Sequence, residues 1–136
     1  MHNMRVITHN KISLKYYDQT TLNKRRLLMI INFDKIEEKS IEGFKGGKGT
    51  LLARMADDGN VKIMRNVLKP GSSIGTHTHT DNCEVIYVLE GQLTFICEDG
   101  KEEIAKAGEI HYCPKGKMHT GENRTEEDAT FIAFVG

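Results

Sequence analysis

The chain has no tryptophan, only two prolines and three cysteines, and its 19 basic and 19 acidic residues leave no formal net charge. It also lacks any apolar stretch near the roughly 20 residues that a membrane-spanning helix requires, which excludes a helical membrane protein. Cys83, Cys97 and Cys113 are odd in number, widely spaced and without a C-x-x-C pair. That pattern suits a reducing cytoplasm better than a disulfide framework, with each thiol read as a small buried hydrophobe. A zero charge balance offers no electrostatic case for nucleic acid or an acidic surface as partner. What is left, 136 residues with 38% hydrophobic and 28% charged side chains, is the composition of one soluble globular domain.

The zero balance hides a split. Residues 1–28 carry six bases (Arg5, Lys11, Lys15, Lys24, Arg25, Arg26) against Asp18, a balance of +5, and the remaining 108 residues carry −5. All 13 glycines, both prolines and all three cysteines fall after residue 28. The front piece has neither the apolar core nor the small-residue cleavage site of a secretory signal. It reads as a basic N-terminal extension, distinct from a domain over residues 29–136. The expectation is a non-native leader read in frame: Arg25-Arg26, if encoded AGG-AGG, would be a bacterial ribosome-binding sequence, with Leu27-Leu28 as the right spacer before an initiating Met29. The nucleotide sequence decides this, since other arginine codons at 25 and 26 sink the idea.

From residue 50 onward the runs TLLARM, VKIMRNVL, EVIYVL, QLTFICE, KEEIAKA and ATFIAFV are short, alternating and rich in β-branched or aromatic residues, and none holds a helical stripe. Asp57-Asp58-Gly59-Asn60 and Glu98-Asp99-Gly100-Lys101 place Asp-Gly between two such runs, and Lys69-Pro70-Gly71 has the make-up of a type II turn. Strands at this spacing predict an antiparallel sandwich or barrel. Residues 33–42, FDKIEEKSIE, fit a short helix or an irregular lead-in, followed by a flexible join in FKGGKG.

Chemistry is concentrated in two segments. In GSSIGTHTHTDNCEVIYVLEG (71–91), His77 and His79 stand two apart. On an extended strand both imidazoles leave the same face, roughly 7 Å apart at the backbone. Glu84 is at an odd offset, but the turn-forming Thr80-Asp81-Asn82 resets the phase and lets it join them. GEIHYCPKGKMHTGEN (108–123) supplies a fourth candidate, His119. Three imidazoles and one carboxylate suit a divalent first-row transition metal.

The spacings are Gly71-x5-His77-x-His79-x4-Glu84-x6-Gly91 and Gly108-x5-Pro114-x-Gly116-x2-His119-x3-Asn123. Each pattern has a chance probability on the order of 10⁻⁷ per start position from average residue usage, so their joint presence is not accident. They resemble, at every fixed position, the two signature motifs of the cupin superfamily in its small single-domain bacterial form. The resemblance covers roughly residues 50–136. It implies an all-β cupin jelly-roll barrel, a metal held by His77, His79, Glu84 and His119, and a homodimer that exchanges or abuts N-terminal strands. Fe, Mn, Ni and Zn all remain open as the ion. Gly71, Gly91 and Gly108 are expected at turns where a Cβ would clash.

One carboxylate against a divalent ion leaves a formal +1, so the ligand is expected to be a small anion. Phase from Glu84 turns Ile86 and Val88 inward and Val85, Tyr87 and Leu89 outward. Similarity to small cupins turns Met64, Asn66, Leu68, Phe131 and Ala133 inward and Arg65 outward. The expected walls are Met64, Asn66, Ile74, Ile86, Phe131 and Ala133, mainly apolar, with one amide and little that is basic. His111 and Cys113 share one face and Tyr112 the other, so they cannot all point at the metal, and a structural role is the stronger reading.

Three functions stay open. The first is a metal-dependent dioxygenase, or a related oxidative or lyase-type enzyme, acting on a small organic acid or phenol. The second is a phosphosugar-type isomerase, which needs a basic inner wall. The third is a non-catalytic binder or sensor of a small molecule or metal.

Overall fold

The computed structural model describes residues 29–136; the reading of residues 1–28 as a basic extension and non-native leader falls outside the described residues. Ten strands follow in order: β1 (Lys39–Glu42), β2 (Thr50–Asp57), β3 (Lys62–Leu68), β4 (Ser73–Thr78), β5 (Glu84–Glu90), β6 (Gln92–Cys97), β7 (Glu102–Lys106), β8 (Ile110–Cys113), β9 (Met118–Glu122) and β10 (Ala129–Val135). They form a six-stranded sheet ordered β1-β2-β3-β10-β5-β8 and a four-stranded sheet ordered β4-β9-β6-β7. All ladders are antiparallel.

The tight turns follow from side chains that satisfy the backbone. Asp58 Oδ1 accepts from the N–H groups of Asn60 and Val61 at 2.9 Å each. Asp99 Oδ1 accepts from Lys101 N at 2.9 Å. Each carboxylate replaces ladder bonds that the reversing chain cannot make, while Gly59 and Gly100 take the positive φ the turns need. Crowding explains only one of the three glycines for which it is expected. A Cβ at Gly91 would meet Asp128 O at 2.5 Å, whereas Gly71 and Gly108 face open space and are required for their φ of 73° and 90°.

The lead-in does not form an α-helix. Phe33–Lys35 makes one 3-10 turn capped by Asn32, and Lys39–Glu42 is β1, paired to β2. Alternation in KSIE suits a ladder, and Arg54 draws the preceding turn onto the sheet by donating to Phe33 O (3.2 Å) and Ile36 O (2.7 Å).

Inward residues of the two sheets make one core, with Leu51, Leu68, Val88, Leu93, Phe95 and Phe131 at most 1% exposed. The cross-strand row Leu51, Leu68, Ala129 packs one end. The row Met55, Met64, Ala133, Ile86 crosses the same sheet further along, and there the interior opens into a cavity. Asn123, 1% exposed, ties the loop before β10 to this body. Its amide donates to Leu68 O (2.9 Å) and Glu127 O (2.7 Å), and its carbonyl accepts from Thr125 N (3.0 Å). A buried amide satisfied on both sides is a structural clasp.

Candidate metal centre

β4 and β9 pair with a one-residue register shift between Ile74 and His77, after which His77 stands directly opposite His119. Without this bulge the ladder would set Met118 against His77. The bulge therefore aims both imidazoles at one point, a use to which bulges beside functional sites are commonly put. His79 lies just past the end of β4, held by its N–H to Lys117 O at 2.9 Å. Glu84 opens β5 in the other sheet, paired with Cys113.

The four side chains meet inside the barrel. The Nε2 atom of His119 is 3.1 Å from Nε2 of His79 and of His77. Glu84 Oε1 lies 3.0 Å from His119 Nε2, 3.2 Å from His79 Nε2 and 4.0 Å from His77 Nε2. All four donor atoms fall within 4.8 Å of one another.

The second nitrogen of each imidazole decides what this cluster is for. His77 Nδ1 donates to Gly75 O at 2.7 Å, a carbonyl that can only accept. His79 Nδ1 donates to Asn82 Oδ1 at 2.8 Å, and His119 Nδ1 lies 3.0 Å from His111 Nε2, which is placed to accept its proton when His119 Nε2 serves as a ligand. With the N–H groups so placed, three Nε2 lone pairs and a carboxylate oxygen face one another. Four electron-rich atoms in a buried space repel unless a cation lies among them, so the donor set fits a divalent transition ion.

Protons compete for the same place. Burial pushes the Glu84 carboxyl up, but hydrogen bonds and charge from His119 and His79 outweigh it and bring it down to about 2. The bond to Glu84 raises the pKa of His79. Desolvation lowers that of His77.

The centre opens into a cavity of about 300 Å³, at the lower end of the range for small-molecule pockets. Met64, Asn66, Ile74, Ile86 and Phe131 line it. Ala133 does not; it is fully buried in the hydrophobic core beside them. Asn66 is 2% exposed and its Oδ1 has no hydrogen-bond partner within the protein. The expectation of a wall with little basic character needs correction, because Lys45 and Lys62 also line the cavity, together with Phe44 and Asp81. Phase arguments from the motif strands could not find Lys45, which comes from the loop before β2.

Sequence reasoning also gave His111 too little weight. It is 6% exposed, its ring stacks on Phe95 with centroids 3.7 Å apart and planes 4° from parallel, and its Nε2 is in hydrogen-bond contact with His119 Nδ1. Tyr112 points out, 55% exposed, and Cys113 is buried. Burial pushes the Cys113 thiol up to about 11, which removes it as a nucleophile.

Comparison with known proteins agrees with this geometry. Residues 64–135 match the family described as Cupin domain. The chain is 32% identical over 113 residues to a Thermotoga maritima protein named oxalate-binding protein, covering 79% of this chain and 93% of the relative. A Thermotoga maritima crystal structure, described as a predicted oxalate decarboxylase, superposes with a TM-score of 0.72 at 29% identity, over 79% of this chain and 97% of that one. A structure described as a sugar phosphate isomerase from a cupin superfamily, from Silicibacter pomeroyi, shares the fold at 23% identity, with a TM-score of 0.64 over 78% of this chain and 74% of that one. With the barrel, the converging imidazoles and the family match in place, the chain belongs to the cupin family and carries a candidate three-histidine, one-glutamate metal site.

Proposed function

We propose that the protein holds a divalent transition metal, Fe, Mn, Ni or Zn, through His77, His79, Glu84 and His119, and engages a small organic anion there as a metal-dependent oxygenase or related enzyme. The observation that carries this reading is the orientation of the imidazoles, each with Nδ1 donated outward and Nε2 turned to the Glu84 carboxylate. A bound ion held by His77, His79, Glu84 and His119 would supply Lewis acidity to the cavity. The chain's own part is to fix the donors and keep the cavity small, with Asn66 Oδ1 left as an unpaired acceptor beside it. An anion is favoured by the formal +1 of a divalent ion against one carboxylate and by the name of the Thermotoga relative.

That name also favours a second reading, a binder that holds the anion without turning it over. Oxygen uptake or CO₂ release with small acids and phenols separates the two. The metal reading is tested by elemental analysis of protein purified without added metal, beside a His77→Ala, His119→Ala double variant. The wild type is expected to carry close to one equivalent and the variant none, with the barrel still folded by circular dichroism. Metal retained by the variant overturns the ligand set.

The same proposal includes a reducing cytoplasmic location, supported by three free thiols among the described residues, and a homodimer. Support for the dimer is an apolar outer face where Tyr87 stands opposite Ile110 and Val85 opposite Tyr112, with Phe134 alongside. Ile110, Tyr112, Phe134 and Tyr87 are 61%, 55%, 40% and 38% exposed.

A further inference from the structure

Lys45 is the one non-glycine residue among those described with positive φ (57°, ψ 26°). Side chains other than Gly, Asn and Asp avoid this region, and bulky residues held there cluster at functional sites. It sits among glycines in Gly43–Gly47, so a glycine at 45 would have cost the backbone nothing; what Lys adds is its ammonium group.

The backbone around Lys45 is fixed from both sides. A Cβ on Gly75 would lie 2.1 Å from Lys45 O and 2.6 Å from Gly47 N, and a Cβ on Gly47 would lie 2.1 Å from Ser73 O. Bare backbone is thus stacked on bare backbone, 45–47 against 73–75. Lys48 O accepts from Ser73 N at 2.8 Å and Ser73 Oγ accepts from Lys48 N at 3.0 Å, which closes the far side of the strap. Phe44 and Lys45 both reach the metal-site cavity, and Lys45 is close enough for its charge to oppose protonation of His79. Its partner in the strap, Gly75, carries the carbonyl that orients His77.

We propose that Lys45 is the specificity-determining residue of this pocket, an ammonium held at its mouth by the Gly43–Gly47 strap to select a short dianionic dicarboxylate over a monocarboxylate. A divalent ion with Glu84 carries one net positive charge, and Lys45 and Lys62 against Asp81 add another, so the cavity balances two negative charges. A dicarboxylate that meets the ion with one end turns its remaining oxygens to the mouth, where an ammonium donor pairs with them. The assignment rests on the metal-and-anion reading above.

The test is calorimetric titration of oxalate and of acetate into Mn²⁺-loaded wild type, Lys45→Gln, Lys45→Arg and Lys45→Asn, with Mn²⁺ affinity measured separately on each. Lys45→Gln is expected to weaken oxalate by about tenfold or more, the loss of one charge-assisted hydrogen bond, with acetate weakened far less and Mn²⁺ bound at least as tightly as in wild type. Lys45→Arg keeps oxalate binding. Lys45→Asn, neutral and at ease in the left-handed region, melts several degrees higher than wild type without metal while losing oxalate as Gln does. Unchanged oxalate affinity in Lys45→Gln, or no gain in melting temperature for Lys45→Asn, overturns the assignment. A wild type that takes up Mn²⁺ but no oxalate overturns it together with the anion reading, and one that takes up neither also removes the metal centre beneath it.

Discussion

His111 shows how a residue with no ligand role can govern one that has it. Its Nε2 lies 3.0 Å from His119 Nδ1, and by accepting that proton it would leave the opposite nitrogen of His119 to the centre. Burial, then the neighbouring His119 charge, lowers its pKa from 6.5 to about 4. The unfolded chain therefore binds a proton between those values that the folded chain refuses, so stability present above pH 6.5 is lost as pH falls toward 4. Two and a half pKa units correspond to about 3 kcal/mol. His111→Gln keeps an acceptor for His119 but does not titrate. In chelator, its denaturation free energy is expected to fall less between pH 7 and pH 4 than that of wild type, by about that amount. His111→Phe keeps the stack on Phe95 and loses the acceptor, and metal affinity measured by chelator competition should drop about 10- to 100-fold. Equal affinity in the Phe variant would show that His119 needs no partner at Nδ1. The four ligands could be read from spacing because strand alternation and one turn carry their geometry. His111 and Asn82 could not, since acceptance of an imidazole proton depends on how separate segments meet and leaves no periodic trace.

The elements divide along a similar line. Strands β2, β3, β5, β6, β7 and β10 were legible as alternating runs between Asp-Gly and Pro-Gly turns, because period two and positive-φ turn residues are local properties. The lead-in was ambiguous for the same reason: FDKIEEKSIE has mixed local preference, and pairing with β2 together with Arg54 settles its conformation from outside. The bulge in β4 was not legible at all. It is set by a close approach of backbones, and its glycine, Gly75, looks in sequence like an ordinary spacer. This makes Gly75 a sharper target than glycines with more visible turn roles. Gly75→Ala drives a Cβ into Lys45 O at 2.1 Å, where only main chain can give way, while Gly116 has positive φ and open space. Gly116→Ala is expected to cost about 1–2 kcal/mol from backbone conformation alone. Gly75→Ala should cost about 3 kcal/mol, at the upper end of overpacking effects, and should weaken metal binding as well, since the same peptide orients His77. Urea denaturation and metal titration on both variants check the ranking. A Gly75→Ala protein with wild-type metal affinity would uncouple the strap from the centre.

For the whole molecule, the charge arithmetic acquires a location. The domain from residue 29 onward carries −5 overall, yet its cavity gathers Lys45 and Lys62 around the candidate metal site, so the proposed anion would be recognised locally against an unfavourable global field. A small, partly enclosed cavity would do this, because charges near low-dielectric walls act on a ligand more strongly than the screened surface does. The outer surface poses a different problem. The face of β10, β5 and β8 sets Ile132 opposite Tyr87, Tyr87 opposite Ile110 and Val85 opposite Tyr112, a contiguous apolar area on the last strands of a sheet whose terminal strand is β8. Such a face invites association, and a stable dimer needs about 800 Å² from each partner. Light scattering after gel filtration is expected to find a dimer for the wild type and a monomer for Ile110→Glu, Tyr112→Glu, with far-ultraviolet circular dichroism unchanged because both side chains point outward. A dimer that survives the two charges would move the contact to the opposite edge, where β1 ends the same sheet and the resemblance to other small cupins places N-terminal strand exchange.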